Sequence, residues 1–149
     1  MKKIEKIVVP VDFGKGMNNL VEYAIYMAES LHAGIHFVHV IGDYPEDAMI
    51  GSPYAQEYQD KESAEAKERM AGLLEDSNEV CPGCEGDVVY GSPVDRIVEC
   101  AEEKRADLIL MGTHGATGLE KIILGSVSQQ VLQKAHCPVL VMNPFREVS

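Results

Sequence analysis

The stretch from Leu108 to Ser128 reads L-I-L-M-G-T-H-G-A-T-G-L-E-K-I-I-L-G-S-V-S. An apolar run, Leu108 to Met111, stops at Gly112. Gly115 follows three residues later, and Gly125-Ser126 stands just before a helical pattern. A buried strand, a glycine loop and a helix start in this order form an apparatus for holding a phosphate. Glycines let backbone N–H groups approach an anion, and a helix N-terminus adds unpaired donors and the positive end of a dipole. The spacing, G-x2-G-x9-G-S, is neither of the common phosphate loops. No G-x-x-x-x-G-K-[ST] occurs, and no G-x-G-x-x-G follows a strand.

Working outward, the continuous apolar character of Leu108 to Met111 suits a strand buried on both faces, hence a parallel sheet. Residues 4–11 (I-E-K-I-V-V-P-V) read the same way as strand one, with Pro10 near its end because it cannot donate to a ladder. Leu20, Ala24, Met27, Ala28 and Leu31 share one helical face over residues 17–32, with Asn18 or Asn19 as a cap and Gly34 as the stop. Strand two is residues 35–41, and a loop is expected over 42–56. A charged helix follows over 57–77, then a Cys81-Pro82-Gly83-Cys84 turn and strand three over 87–90. Ser92-Pro93 opens a helix, with Pro at N1 and Asp95 at N3. Strand four spans 107–111. Ser126 is expected to cap the next helix with Gln129 at the capping-box position, and strand five spans 138–142. Alternating strands and helices in 149 residues imply one domain, 1–149, with a doubly wound parallel five-stranded sheet and helices on both faces.

Hydrophobic residues make up 46% of the chain and charged residues 25%, the mixture of a globular protein. The formal net charge of −11 disfavours nucleic acid and anionic membrane surfaces, which reward Lys and Arg. A phosphate bound here must rely on local backbone dipoles, with Mg²⁺ as a further aid. No export signal is expected, since Glu5 and Lys6 break any apolar run after Lys2 and Lys3, and no run reaches membrane-spanning length. The chain therefore reads as cytoplasmic, with Cys81, Cys84, Cys100 and Cys137 reduced by default.

The glycine motif resembles the nucleotide-binding signature of the universal stress protein family. The resemblance extends over the chain through V-P-V-D (Val9 to Asp12), H-V-I (His39 to Ile41), G-S-P (Gly91 to Pro93) and C-P-V-L-V (Cys137 to Val141). It implies strand order 3-2-1-4-5, which sets Asp12 beside the glycine loop at the point where the strand order reverses. It also implies a cleft for ATP, ADP or AMP. Pro10, Val11 and Asp12 would meet adenine and ribose, and Val40 would offer backbone bonds to the base. Met111, Gly112, His114 and Gly115 would line ribose and phosphates, and Gly125, Ser126, Val127 and Ser128 would hold the terminal phosphates. After the aspartate the family often carries serines; this chain has Phe13-Gly14-Lys15-Gly16-Met17.

Other features compete with or qualify that reading. Asp12-Phe13-Gly14 mimics a kinase motif, but no H-R-D loop exists. Asp12 could equally cap its own turn, and His114 could be an exposed loop histidine. His36 and His39 read as neutral strand histidines, on opposite faces of the strand. Cys81-Pro82-Gly83-Cys84 fits an incidental turn, a redox pair or half of a metal knuckle. No catalytic set is visible, and Lys121 lies mid-loop rather than at a phosphate position. The expected output is regulatory, read by a protein partner, in a homodimer built on strand five. The alternatives are a slow ATP hydrolase or self-phosphorylating enzyme with Ser126 or Ser128 as acceptor, and an interaction module of the same fold with an empty cleft.

Overall fold

The protein, seen in a computed structural model, is described over residues 2–42, 54–113 and 125–145. The expectations for His114, Gly115, Lys121 and most of the 42–56 loop lie outside the described residues.

Five parallel strands, β1 (Lys6–Pro10), β2 (Gly34–Ile41), β3 (Glu85–Tyr90), β4 (Leu108–Gly112) and β5 (Val139–Met142), form one sheet in the order β3-β2-β1-β4-β5. Helices α1 (Met17–Leu31), α2 (Ala55–Ser77), α3 (Pro93–Glu103) and α4 (Ser126–Lys134) connect them. Strand alternation divides the core into two layers. Ile7, Val9, Phe37 and Leu110 pack with Leu20, Ala24, Met70 and Leu73 of α1 and α2. Val8, Val38, Ile109 and Met111 pack on the other face with Val94, Ile97, Ala101 and Val131 of α3 and α4.

The strand reversal lies between β1 and β4, and the two strands are joined at one end only. At their start, the backbone N–H groups of Glu5 and Lys6 donate to Asp107 Oδ2 at 2.9 and 3.2 Å. The Glu5 amide foremost, then the Lys2 ammonium 3.2 Å from Oδ1 and the Lys6 amide, hold the Asp107 carboxyl below its ordinary range. The ladder then covers two pairs, Ile7↔Leu108 and Val8↔Ile109. Val11 N–H points at β2, donating to Val38 O at 2.8 Å. By the two-residue alternation, Pro10 turns its nitrogen toward β4, and it has no hydrogen to give. The ladder ends there and a crevice opens at the carboxyl ends of the strands.

Several local expectations are corrected. The cap of α1 is Gly16, at φ 86°, not Asn18 or Asn19. Asn19 instead donates to Pro144 O at 2.8 Å, tying α1 to the segment after β5. A side chain at position 16 would press on Pro144 and Phe145 and adopt a left-handed φ, so glycine is required there twice over. Helix α1 ends through His32 in the left-handed region (φ 55°), and Gly34 opens β2. Gly125, not Ser126, is the cap of α4. Ser126 is its first helical residue and its Oγ accepts from Gln130 Nε2 at 3.1 Å, so Gln129 does not close a capping box.

Cys81 and Cys84 are joined in a disulfide, which corrects the expectation of four reduced thiols; Cys100 and Cys137 are free. The turn brings the two Cα atoms to 5.7 Å, with Cys84 N–H donating to Cys81 O at 3.1 Å. No group of three or more metal-ligating side chains occurs among the described residues. No helix among them is long and apolar enough to cross a membrane.

Candidate functional site

The crevice between β1 and β4 is a cavity of about 300 Å³, a volume that suits a small organic ligand. Pro10, Val11, Asp12, Val40, Met111, Gly112, Gly125, Ser126, Val127 and Ser128 all line it. Ten of the expected site residues thus converge, although Asp12 and Gly125 stand over a hundred positions apart in the chain.

Part of the cavity lining is apolar. Val38 and Val40 of β2, Met111 of β4, and Pro93 and Ile97 of α3 supply its walls. Val38, His39, Pro93, Ile97 and Thr113 also line the cavity and were not among the site residues expected from the sequence. Pro93 and Ile97 reach the cleft only because α3 packs across the β1–β2 face, and nothing local in the sequence marks that.

Another part of the lining is polar through its backbone. Gly125 is extended (φ −64°, ψ 157°) and its N–H donates to Thr113 O at 2.7 Å. A Cβ at position 125 would stand 2.8 Å from that same carbonyl oxygen, so glycine is needed here for close approach rather than for a left-handed φ. The amides of Ser126, Val127 and Ser128 form the first turn of α4, where no intrahelical acceptor exists. No side chain among the described residues caps them, and no acid occupies that turn. The Ser126 side chain is exposed, whereas Ser128 is 2% exposed. Ser128 Oγ has one proton, with Gly125 O at 2.9 Å and Thr113 O at 3.3 Å as acceptors. Its hydroxyl is committed to shaping the turn. The lining among the described residues contains no Lys or Arg, so what these residues offer an anion is backbone dipoles and serine hydroxyls.

One wall of the cavity is the loop after β1, through Pro10, Val11 and Asp12. Asp12 Oδ1 accepts the Gly14 N–H at 2.9 Å, so the carboxylate does cap its own turn. Its second oxygen takes no hydrogen bond among the described residues. Phe13 follows at φ 57°, a left-handed conformation that costs a non-glycine residue roughly 1 kcal/mol or more. Two contacts from His39 hold it. The Phe13 and His39 rings lie 4.8 Å apart, and His39 Nδ1 is 2.7 Å from Val11 O. A carbonyl oxygen only accepts, so Nδ1 carries the proton and His39 donates. His39, read from sequence as a plain strand histidine, fastens the cleft's β1 loop to β2.

His36 is a contrast at the opposite end of β2. It is 1% exposed, with Nε2 3.0 Å from Asp87 Oδ2 but out of hydrogen-bond alignment, and Nδ1 3.6 Å from Glu85 Oε2. Burial lowers its pKa and outweighs the opposing pull of Asp87.

The chain was compared with known proteins. The profile of the Universal stress protein family matches residues 3–143. Universal stress protein MJ0531 of Methanocaldococcus jannaschii is 35% identical over 93% of this chain and 82% of its own length. The solved structure of MJ0577, from the same organism, superposes with a TM-score of 0.82 at 30% identity, covering 99% of this chain and all of that one. A universal stress protein from Archaeoglobus fulgidus, solved in complex with dAMP, has a TM-score of 0.62 at 25% identity over 94% of this chain and 98% of its own. With the family profile spanning nearly the whole chain and a relative of this identity, the protein belongs to the universal stress protein family.

Proposed function

We propose that this protein is a single-domain regulatory member of its family that binds ATP or a related adenine nucleotide in the β1–β4 cleft. The observation that carries the reading is a single cavity lined both by apolar side chains and by the first turn of α4, whose three amides have no side-chain cap among the described residues. A flat base joined to a phosphate chain calls for both kinds of surface. Pro10, Val11, Asp12 and Val40 serve the nucleoside, and the first turn of α4 serves the phosphates, with Mg²⁺ as a companion ion. The dAMP complex of the Archaeoglobus fulgidus relative supports an adenine nucleotide. A chain of net charge −11 cannot draw ATP in over long range, and local donors act over about one helical turn.

The protein acts in the cytoplasm as a homodimer joined through β5. That strand is an edge of the sheet and its four residues are half-buried in the isolated chain. A short apolar edge is an association surface unless it is paired.

Calorimetry with ATP and with adenosine tests the nucleotide reading. Both should bind, ATP more tightly, and Asp12→Ala should weaken both alike because it acts at the nucleoside end. No heat of binding with either ligand would overturn it. Sedimentation should give a mass near twice 16.3 kDa, and a mass of one chain at micromolar concentration would remove the dimer.

A further inference from the structure

We propose that Cys81 and Cys84 form a site of reversible thiol–disulfide exchange that takes dithiol reductants and is separate from the nucleotide cleft. The pair sits in the turn between α2 and β3. Cys81 N–H donates to Ser77 O at 2.7 Å, so Cys81 is fixed to the end of α2, and Gly83 at φ 83° closes the turn. Cys81 is buried in the α1–α2 core layer, while Cys84 is half-buried between exposed Gly83 and exposed Glu85. An open cleft of about 120 Å³, walled by Ile25, Ala28, Ala33 and Val80, adjoins the turn. An incoming thiolate therefore meets Cys84 first.

The electrostatics favour the closed form. Redox pairs that stabilise a thiolate sit at helix N-termini or beside cations. This pair follows a helix C-terminus, the negative end of the dipole. Residues 70–95 include Glu75, Asp76, Glu79, Glu85, Asp87 and Asp95 and no Lys or Arg. The cleft beside the turn is lined by Glu29 and by no Lys or Arg among the described residues, so the open dithiol gains there no stabilisation of the kind that makes other pairs strong oxidants. Cys100, whose thiol burial pushes up to about 11, and Cys137, likewise pushed up by burial, are poor competitors for exchange.

One thiolate of the reductant attacks Cys84 Sγ, the S–S bond breaks, and Cys81 leaves as a thiolate that takes a proton. The reductant's second thiolate attacks its own sulfur in the mixed disulfide, forming the reductant's disulfide and releasing Cys84, which takes the second proton. Two electrons and two protons pass to the pair. A monothiol lacks the second step. Cys81, three residues away, is then the nearest thiol to the mixed disulfide and reseals the ring by its high effective concentration.

The test is alkylation of the native full-length protein followed by peptide mass spectrometry. Cys81 and Cys84 should be linked in the untreated protein, both alkylated after dithiothreitol, and linked again after diamide. Glutathione at equal thiol concentration should leave them linked. Free alkylation of both before reduction and after diamide would overturn the proposal, as would stoichiometric zinc in the purified protein. Opening by glutathione as complete as by dithiothreitol would overturn the dithiol selectivity. With glutathione disulfide, Cys81→Ser should form a mixed disulfide at Cys84 several-fold faster than Cys84→Ser does at Cys81. The reverse order would overturn Cys84 as the sulfur of entry.

Discussion

Helices α3 and α4 both begin at the cleft, and they begin differently. Helix α3 starts Ser92-Pro93 with Asp95 in its first turn. Proline removes one first-turn donor and presents an apolar ring, and the aspartate offsets the positive end of the dipole. Helix α4 starts Gly125-Ser126, with every first-turn amide present, no acid and no side-chain cap. One start is closed to an anion and lines an apolar wall; the other is open to one. The pair shows how two helix starts of the same fold give one cavity both an apolar surface and a set of free amide donors.

The sharpest way to break that contrast is at Gly125. A Val side chain there must displace the Thr113 carbonyl, which stands 2.8 Å from the new Cβ. That misaligns all three amides, each worth about 1.5–3 kcal/mol to a charged acceptor. Gly125→Val should weaken ATP by roughly a hundredfold or more in calorimetry, while circular dichroism shows the fold retained.

A gentler exchange gives α4 the start that α3 has. Ser126→Pro places proline at N1, where it is tolerated, after a Gly125 already in the extended conformation that precedes proline. It deletes one donor. ATP affinity should fall about tenfold and adenosine affinity should stay as it is. An equal loss for both ligands would show that the open start does not serve the phosphates.

His39 tests the opposite wall. His39→Leu removes the donor to Val11 O and should cost roughly fivefold in adenosine and ATP affinity alike, the worth of about one hydrogen bond. His39→Asn, which can place an N–H near the same carbonyl, should recover most of it. Failure of Asn to outperform Leu would reduce His39 to a packing residue.

The smallest effect on binding belongs to His36, a control at the far end of the sheet. Its folded pKa is lowered from the ordinary 6.5, so the unfolded chain takes up a proton first as pH falls. Stability from this group is present above about 6.5 and is lost progressively below it. Denaturant titrations should show that loss in the parent and not in His36→Leu, with ATP binding at neutral pH unchanged. Loss tied to Asp107 lies lower, below 3.8, and should be common to both proteins.

The order of elements and the parallel character of the strands were legible in the sequence because each rests on short-range rules, and the family resemblance named most of the residues that line the cleft. Apolar runs mark buried strands, and glycine followed by serine marks a helix start at the end of one. Pro10 even marked where β1 stops pairing. Boundaries and caps were less legible. Asn19 and Ser126 looked like caps because their side chains suit that task, yet Gly16 and Gly125 took it. The space at Gly16 belongs to Pro144 and Phe145, and the space at Gly125 to the Thr113 carbonyl, both set by other parts of the chain. Tertiary structure alone decided that His39 donates to a carbonyl 28 residues away, that Pro93 and Ile97 wall the cleft, that Ser128 turns inward, and that Cys81 and Cys84 close on each other. In each case the deciding partner is a backbone atom or a packed neighbour, and a sequence names side chains without saying which backbone they will face.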